Sequence, residues 1–164
     1  GVDCVLRGGV LSDPSLVARR VARMSYMTCA TPDYLKRHGV PATPADLLDG
    51  HRVVSYFSSR TGRYIPPHYE RGDERIEING HAVIAVNEST AHLTALLSGL
   101  GVAQTFAFMA QPHVESGALV ELLADWEPPP MPVSIAYPSS RHPSAKLRAF
   151  VDWTVEVFAP YGVR

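Results

Sequence analysis

Seven histidines and two cysteines are the side chains of this sequence best suited to catalysis or metal binding. No two histidines stand in HxxxH or HExxH spacing, which would put two imidazoles on one helix face for zinc. His38, His51 and His113 fall at expected helix ends or loops, His68 beside a proline pair, and His81 and His142 near turns. His92 falls on a leucine-rich helix, off its apolar stripe. Each reads as a surface or capping histidine. Cys4 and Cys29 form neither a CxxC pair nor a metal knuckle; they read as two buried thiols in a reducing cytosol. Cys29 stands just ahead of a helix start, where positive dipole potential lowers a thiol pKa. No base adjoins it in sequence, so a small buried side chain is its expected role. There is no GxSxG elbow, no Walker loop and no GxGxxG after a strand. Gly99-Leu100-Gly101 closes a helix rather than opening one. No metal, cofactor or enzymatic chemistry is expected.

Binding is better provided for. Helix N-termini at Thr31 and at Asn87-Glu88-Ser89 suit small polar or anionic ligands. Arg7, with Gly8-Gly9, ends a strand and offers a fork for a carboxylate. Gln104 and Thr105 are polar within an otherwise apolar strand; ligand contact and satisfaction of backbone groups or water both remain open for them.

The elements that must position these residues alternate between strand and helix. Residues 2–6 form a short strand stopped by Gly8-Gly9, and residues 16–18 and 24–29 are extended. Thr31 caps a helix with Pro32 in its first turn and Gly39 after its end. A short helix opens at Thr43-Pro44 and ends at Gly50. Residues 53–57 and 63–65 are strands, the second held to an edge by Pro66-Pro67. Arg71-Gly72-Asp73 matches a cell-adhesion tripeptide but reads as a tight turn, and residues 75–79 alternate as a half-buried strand. Residues 83–86 have no polar interruption and are expected to be covered on both faces. Asn87 then caps a helix whose Leu93, Leu96, Leu97 and Leu100 fall at i, i+3, i+4 and i+7. With the strand at residues 102–106 this makes a β-α-β unit with parallel strands. A helix or loop follows at residues 107–116, then strands at 119–123 and 133–137. The last helix, residues 144–158, places Leu147, Phe150, Val151, Val155 and Phe158 on one side. The class is α/β.

The 164 residues are 46% apolar and 19% charged, enough to bury a core. Net charge is −1, only Lys36 and Lys146 are lysines, and the arginines scatter, clustering only at Arg19, Arg20 and Arg23. Direct DNA contact by this chain is not expected. No secretion signal and no run of about 20 apolar residues is visible. The chain opens without Met inside an expected strand and reads as a fragment of something longer.

Several stretches, in order, carry a resemblance: Gly1 to Gly9; Leu16-Val17-Ala18-Arg19-Arg20; Ala30-Thr31-Pro32-Asp33-Tyr34-Leu35 with His38-Gly39-Val40-Pro41; Pro44-Ala45-Asp46-Leu47; Ser98 to Ala103; Ser116 to Leu123; and Tyr137-Pro138 with Lys146 to Asp152. Together they resemble the effector-binding (substrate-binding) domain of LysR-type bacterial transcription regulators. The resemblance implies a type 2 periplasmic-binding-protein-like α/β fold, two Rossmann-like lobes joined by a two-stranded hinge. Residues 1–29 and 131–164 would form a partial first lobe, lacking its first strand-helix-strand unit, and residues 30–130 the second lobe. No DNA-binding domain is present. A small anionic or aromatic effector would sit in the cleft between lobes and change oligomer geometry. The effector-facing positions carried over are Arg7, Gly8, Thr28, Cys29, Ala30, Asn87, Ser89 and Thr105. The implied assembly is a cytoplasmic homodimer or homotetramer that meets DNA only through an N-terminal helix-turn-helix outside this chain, with no membrane partner. The alternatives are a solute-binding protein of a transporter and, behind it, an enzyme using Cys29 or a histidine.

Overall fold

The computed structural model describes residues 3–11, 13–59, 61–79, 82–139 and 144–161. Val2, His81 and His142 lie outside the described residues. The elements begin with β1 (Val5–Gly8), β2 (Leu16–Met24), β3 (Tyr26–Ala30), α1 (Pro32–His38) and a 3-10 turn at Pro44–Leu48. Next come β4 (Val53–Phe57), β5 (Tyr64–Ile65), β6 (His68–Arg71), β7 (Glu74–Glu77), β8 (Ala82–Val86) and α2 (Ser89–Leu97). The chain ends with β9 (Ala103–Phe106), α3 (Ala107–Glu115), β10 (Val120–Leu122), β11 (Met131–Pro138) and α4 (Ala145–Phe158). It divides into two compact units, Gly1–Met24 with Pro130–Arg164, and Ser25–Pro129.

In the first unit β11 lies between β1 and β2, antiparallel to both. Strand alternation turns Val133 and Ile135 to one face, where they pack with Val21, Ala22, Leu147 and Val151 under α4. A register shift beside Ser134 lets the adjacent Val21 and Ala22 both be buried. Ser144 caps α4, its hydroxyl accepting from the Leu147 amide at 3.2 Å. Phe150 does not join the core. It is 44% exposed and lies against Trp153 at 5.7 Å between ring centres, because Leu147 and Val151 already define the buried stripe.

In the second unit β3 lies between β10 and β9, and β4 between β5 and β8. The Val54 amide donates to the Val102 carbonyl at 2.9 Å and the Val102 amide to the Arg52 carbonyl at 2.8 Å, a parallel bridge joining the two sheets. β8 also runs parallel to β4, so the strands flanking α2 run in one direction, as the β-α-β pattern requires. The sheet face toward α2 and α3 packs Cys29, Val54, Leu96, Ala103 and Leu119; a further cluster joins Ala30, Tyr34, Leu47, Val53, Tyr69 and Trp126. Burying one such leucine contributes roughly 1.5–3 kcal/mol.

Two readings of β-structure divide. Gly72-Asp73 turns β6 into β7 as a tight hairpin. β8, expected to be covered on both faces, is instead an edge strand with Val83 49% and Ile84 37% exposed. An unbroken apolar run reports burial only when partners lie on both sides, and among the described residues β4 alone pairs with it. The helix expected from Thr43-Pro44 is a tighter 3-10 turn, closed by Asp46, whose carboxylate accepts from the Ala42 and Thr43 amides at 2.8 Å each.

Candidate functional site

β1 carries Arg7 and Gly8. Arg7 stands opposite Ser134 of β11 and is exposed. Gly8 stands opposite Val133, and a Cβ there would press on the Met131 side chain, so the position needs glycine or a shifted methionine.

β3 splits its residues between two faces. Tyr26, Thr28 and Ala30 point one way, Met27 and Cys29 the other. On the first face the Thr28 hydroxyl donates to the Tyr69 phenol oxygen at 3.4 Å, and Gln104, opposite Thr28, donates to the His68 carbonyl at 2.8 Å. Tyr26 stacks on Phe106 at 5.1 Å and meets the His68 ring edge-on. Burial pushes the Tyr69 phenol up to about 12 against the lowering effect of the Thr28 bond. The β6–β7 hairpin that supplies Tyr69 and His68 is held by Arg71, whose guanidinium lies 4.1 Å from the Trp126 ring centre and 3.0 Å from Asp125. The exposed ion pair adds little, the cation–π contact on a buried ring more. Ala30 is fully buried among Tyr34, Leu47 and Val53.

On the second face Cys29 is fully buried in the core beneath α2 and α3. The helix start expected to lower its pKa is present, with Thr31 accepting from the Tyr34 amide at 3.3 Å. Burial, with Glu121 directly across the strand pair, nevertheless pushes the thiol up to about 12. Desolvation outweighs the dipole, and Cys29 is a protonated thiol at neutral pH. Thr105 sits across from Met27 on this same face and is buried, so it does not meet Thr28.

The α2 N-terminus differs from its expected form. Glu88, not Asn87, is the cap. Its carboxylate accepts from the Thr90 and Ala91 amides at 2.8 Å each, and these bonds hold its pKa below the usual range. The Asn87 carbonyl accepts from the Tyr56 hydroxyl at 2.7 Å, which keeps that residue outside the helix. The free amides that would attract an anion are thus partly filled by the chain's own carboxylate, and Ser89 follows as the first helical residue. His92, expected at the surface, is buried, its Nε2–H donating to the Val54 carbonyl at 3.1 Å. The α2 stripe is wider than its leucines: it buries His92 and Ala95 with Leu96, while Leu100 lies beyond the helix and is 37% exposed.

The structure therefore groups Thr28 with Gln104, and Cys29 with Thr105, on opposite faces of one sheet, and places Arg7 and Gly8 in the other unit. Sequence reasoning missed Tyr69, whose signal was the alternation flanking the Gly72-Asp73 turn, and the capping role of Glu88, whose signal was an acid at a helix start. Among the described residues no three His, Cys, Asp or Glu side chains converge to hold a metal ion, and no helix is long and apolar enough to cross a membrane.

The family model described as the LysR substrate binding domain matches residues 1–159. An HTH-type transcriptional repressor of Pseudomonas aeruginosa is 34% identical over 159 residues, covering 97% of this chain and 50% of that protein. The HTH-type transcriptional regulator YhjC of Escherichia coli is 32% identical over 170 residues, covering 98% of this chain and 54% of its own length. This chain spans about half the length of these curated relatives. Among solved structures, the CrgA regulatory domain of Neisseria meningitidis superposes with a TM-score of 0.78 at 25% identity, over 96% of this chain and 76% of that one. The regulatory domain of AphB of Vibrio vulnificus, at 23% identity and TM-score 0.79, over 94% of this chain and 75% of that one, shares the fold.

Proposed function

Because the chain belongs to the LysR substrate-binding domain family, we propose that it is the part of a bacterial transcription regulator that senses a small metabolite. The observation that carries this reading is the family match across residues 1–159, with relatives that are HTH-type regulators. The mixed α/β fold is that of LysR regulatory domains, the type 2 periplasmic-binding-protein-like fold. The family is one of transcription regulators, generally without enzymatic activity, and a transporter's solute-binding protein is not favoured by these relatives.

Sensing needs no bond to be made or broken. A ligand that prefers one conformation shifts the population toward it, and a change in oligomer geometry then alters DNA binding. In this reading the full-length protein is a cytoplasmic homodimer or homotetramer, meets DNA through an N-terminal helix-turn-helix, and has no membrane partner. The effector is anionic or aromatic. The effector-facing positions of this reading are Arg7, Gly8, Thr28, Cys29, Ala30, Asn87, Ser89 and Thr105; of these Thr28, Cys29, Ala30 and Thr105 are buried.

The test is a thermal-shift screen of the chain against small carboxylates and aromatics, followed by DNA-binding assays of the full-length protein with each hit. A saturable stabiliser that changes DNA occupancy is expected. DNA binding indifferent to every bound metabolite would overturn the function. Unchanged affinity in both Arg7→Ala and Thr105→Ala would overturn the site.

A further inference from the structure

The first unit's sheet has one face under α4 and another on which a single row is built for an anion. Register places Arg7 of β1, Ser134 of β11 and Arg20 of β2 side by side across the three strands, all pointing away from the Ile135 face that α4 covers. Neighbouring strands are about 4.8 Å apart, so the two arginines flank the serine from about 10 Å apart at their Cα atoms and can lean toward it from both sides. Ser134 is 9% exposed, and its hydroxyl, which has no hydrogen-bond partner among the described residues, is open to solvent on this face. Neither Arg7 nor Arg20 has an ion-pair or hydrogen-bond partner there either. Arg19, one residue away, points to the other face and is taken by Asp152 at 3.3 Å. The next row on the same face, Val5, Ala136 and Ala18, is small and apolar and brings no carboxylate. The segments forming this unit hold eight Arg and Lys against four Asp and Glu, whereas residues 25–129 hold seven against twelve.

Two unpartnered guanidinium forks astride an unpartnered, solvent-facing hydroxyl satisfy an oxyanion: each fork gives paired N–H donors and the hydroxyl one more. The geometry points to Arg7, Ser134 and Arg20 as a subsite for the carboxylate or phosphate of a small ligand. This rests on the effector-binding reading of Arg7 and narrows it, from an anionic or aromatic effector to one that must carry an oxyanion. Arg20 and Ser134 become specificity-determining residues.

Calorimetric titration of the chain with inorganic phosphate, succinate and uncharged succinamide, at constant ionic strength, tests it. Phosphate or succinate binds saturably and succinamide does not; which of the two binds tells a phosphorylated ligand from a carboxylic one. Arg7→Met and Arg20→Met each weaken binding roughly tenfold, and Ser134→Ala about threefold. Arg20→Lys keeps the charge but loses the fork and falls between. Arg19→Met, on the opposite face, leaves affinity unchanged. Far-ultraviolet dichroism confirms that each variant is folded. Failure of both anions to bind, equal binding of succinamide, or full affinity in Arg20→Met overturns the subsite. If the anions bind as expected while DNA occupancy of the full-length protein ignores them, the regulatory reading falls and the subsite stands. If an effector regulates but is indifferent to Arg20→Met and Ser134→Ala, the subsite falls and the regulatory reading stands.

Discussion

Cys29 and His92 are decided by burial, which the sequence leads one to expect for the cysteine and not for the histidine. The helix start after Cys29 would by itself lower the thiol pKa; burial reverses the sign, and Glu121, 92 positions away and across the strand pair, adds to it. At pH 8, with the thiol at about 12, on the order of one molecule in ten thousand carries the thiolate. Iodoacetamide labelling followed by peptide mass spectrometry should therefore modify the half-buried Cys4 at least about tenfold faster than Cys29. The raised value has a stability consequence. Between about pH 9 and 12 the unfolded chain releases a proton that the folded chain keeps, so stability falls as pH rises through that window. Cys29→Ala should flatten this limb in melts recorded against pH. His92 works in the opposite direction. Burial lowers its pKa, with the bond to the Val54 carbonyl opposing, so below its ordinary value of about 6.5 the unfolded chain takes up the proton first. Stability should fall as pH drops below that point, and less steeply in His92→Gln.

Elements were legible where their signals are local. The first helix has Thr31 before it, Pro32 inside it and Gly39 at φ 82° after it, and each position is where a cap or a stop needs it. The second helix was legible in its body but not at its start. Asn87 is the better capping residue by type, yet Tyr56, brought near by the β4–β8 pairing, takes its carbonyl and moves the start to Glu88. Glu88→Gln should weaken the cap and lower the melting temperature most above the carboxyl's depressed pKa, because a lowered pKa gives stability present at higher pH and lost on acidification. Gly101 precedes β9 where the bridge to Arg52 and Val54 brings two backbones together, and a Cβ there would collide with the Arg52 carbonyl. Gly101→Ala should cost about 1–3 kcal/mol in urea unfolding, against less than about 0.5 kcal/mol for Val83→Thr on the open edge of β8.

At the scale of the molecule, fold class was readable from the alternation of strand and helix, and family from motifs spread along nearly the whole chain. The anion row was not readable, because Arg7, Arg20 and Ser134 become neighbours only through the β1-β11-β2 register. In sequence the arginine cluster was Arg19, Arg20 and Arg23; pairing separates Arg19 from Arg20 onto opposite faces and gives each a different role.

The division of the backbone also sets a timetable. Residues 25–129 are continuous and enclose both of their own apolar clusters, so a ribosome can deliver everything they need before it has made β11 or α4. The remaining unit must wait, its opening strands held without their central partner until the last 35 residues emerge. A fragment of residues 25–129 should thus unfold cooperatively by itself, whereas release of the nascent polypeptide after residue 129 should leave β1 and β2 open to proteases.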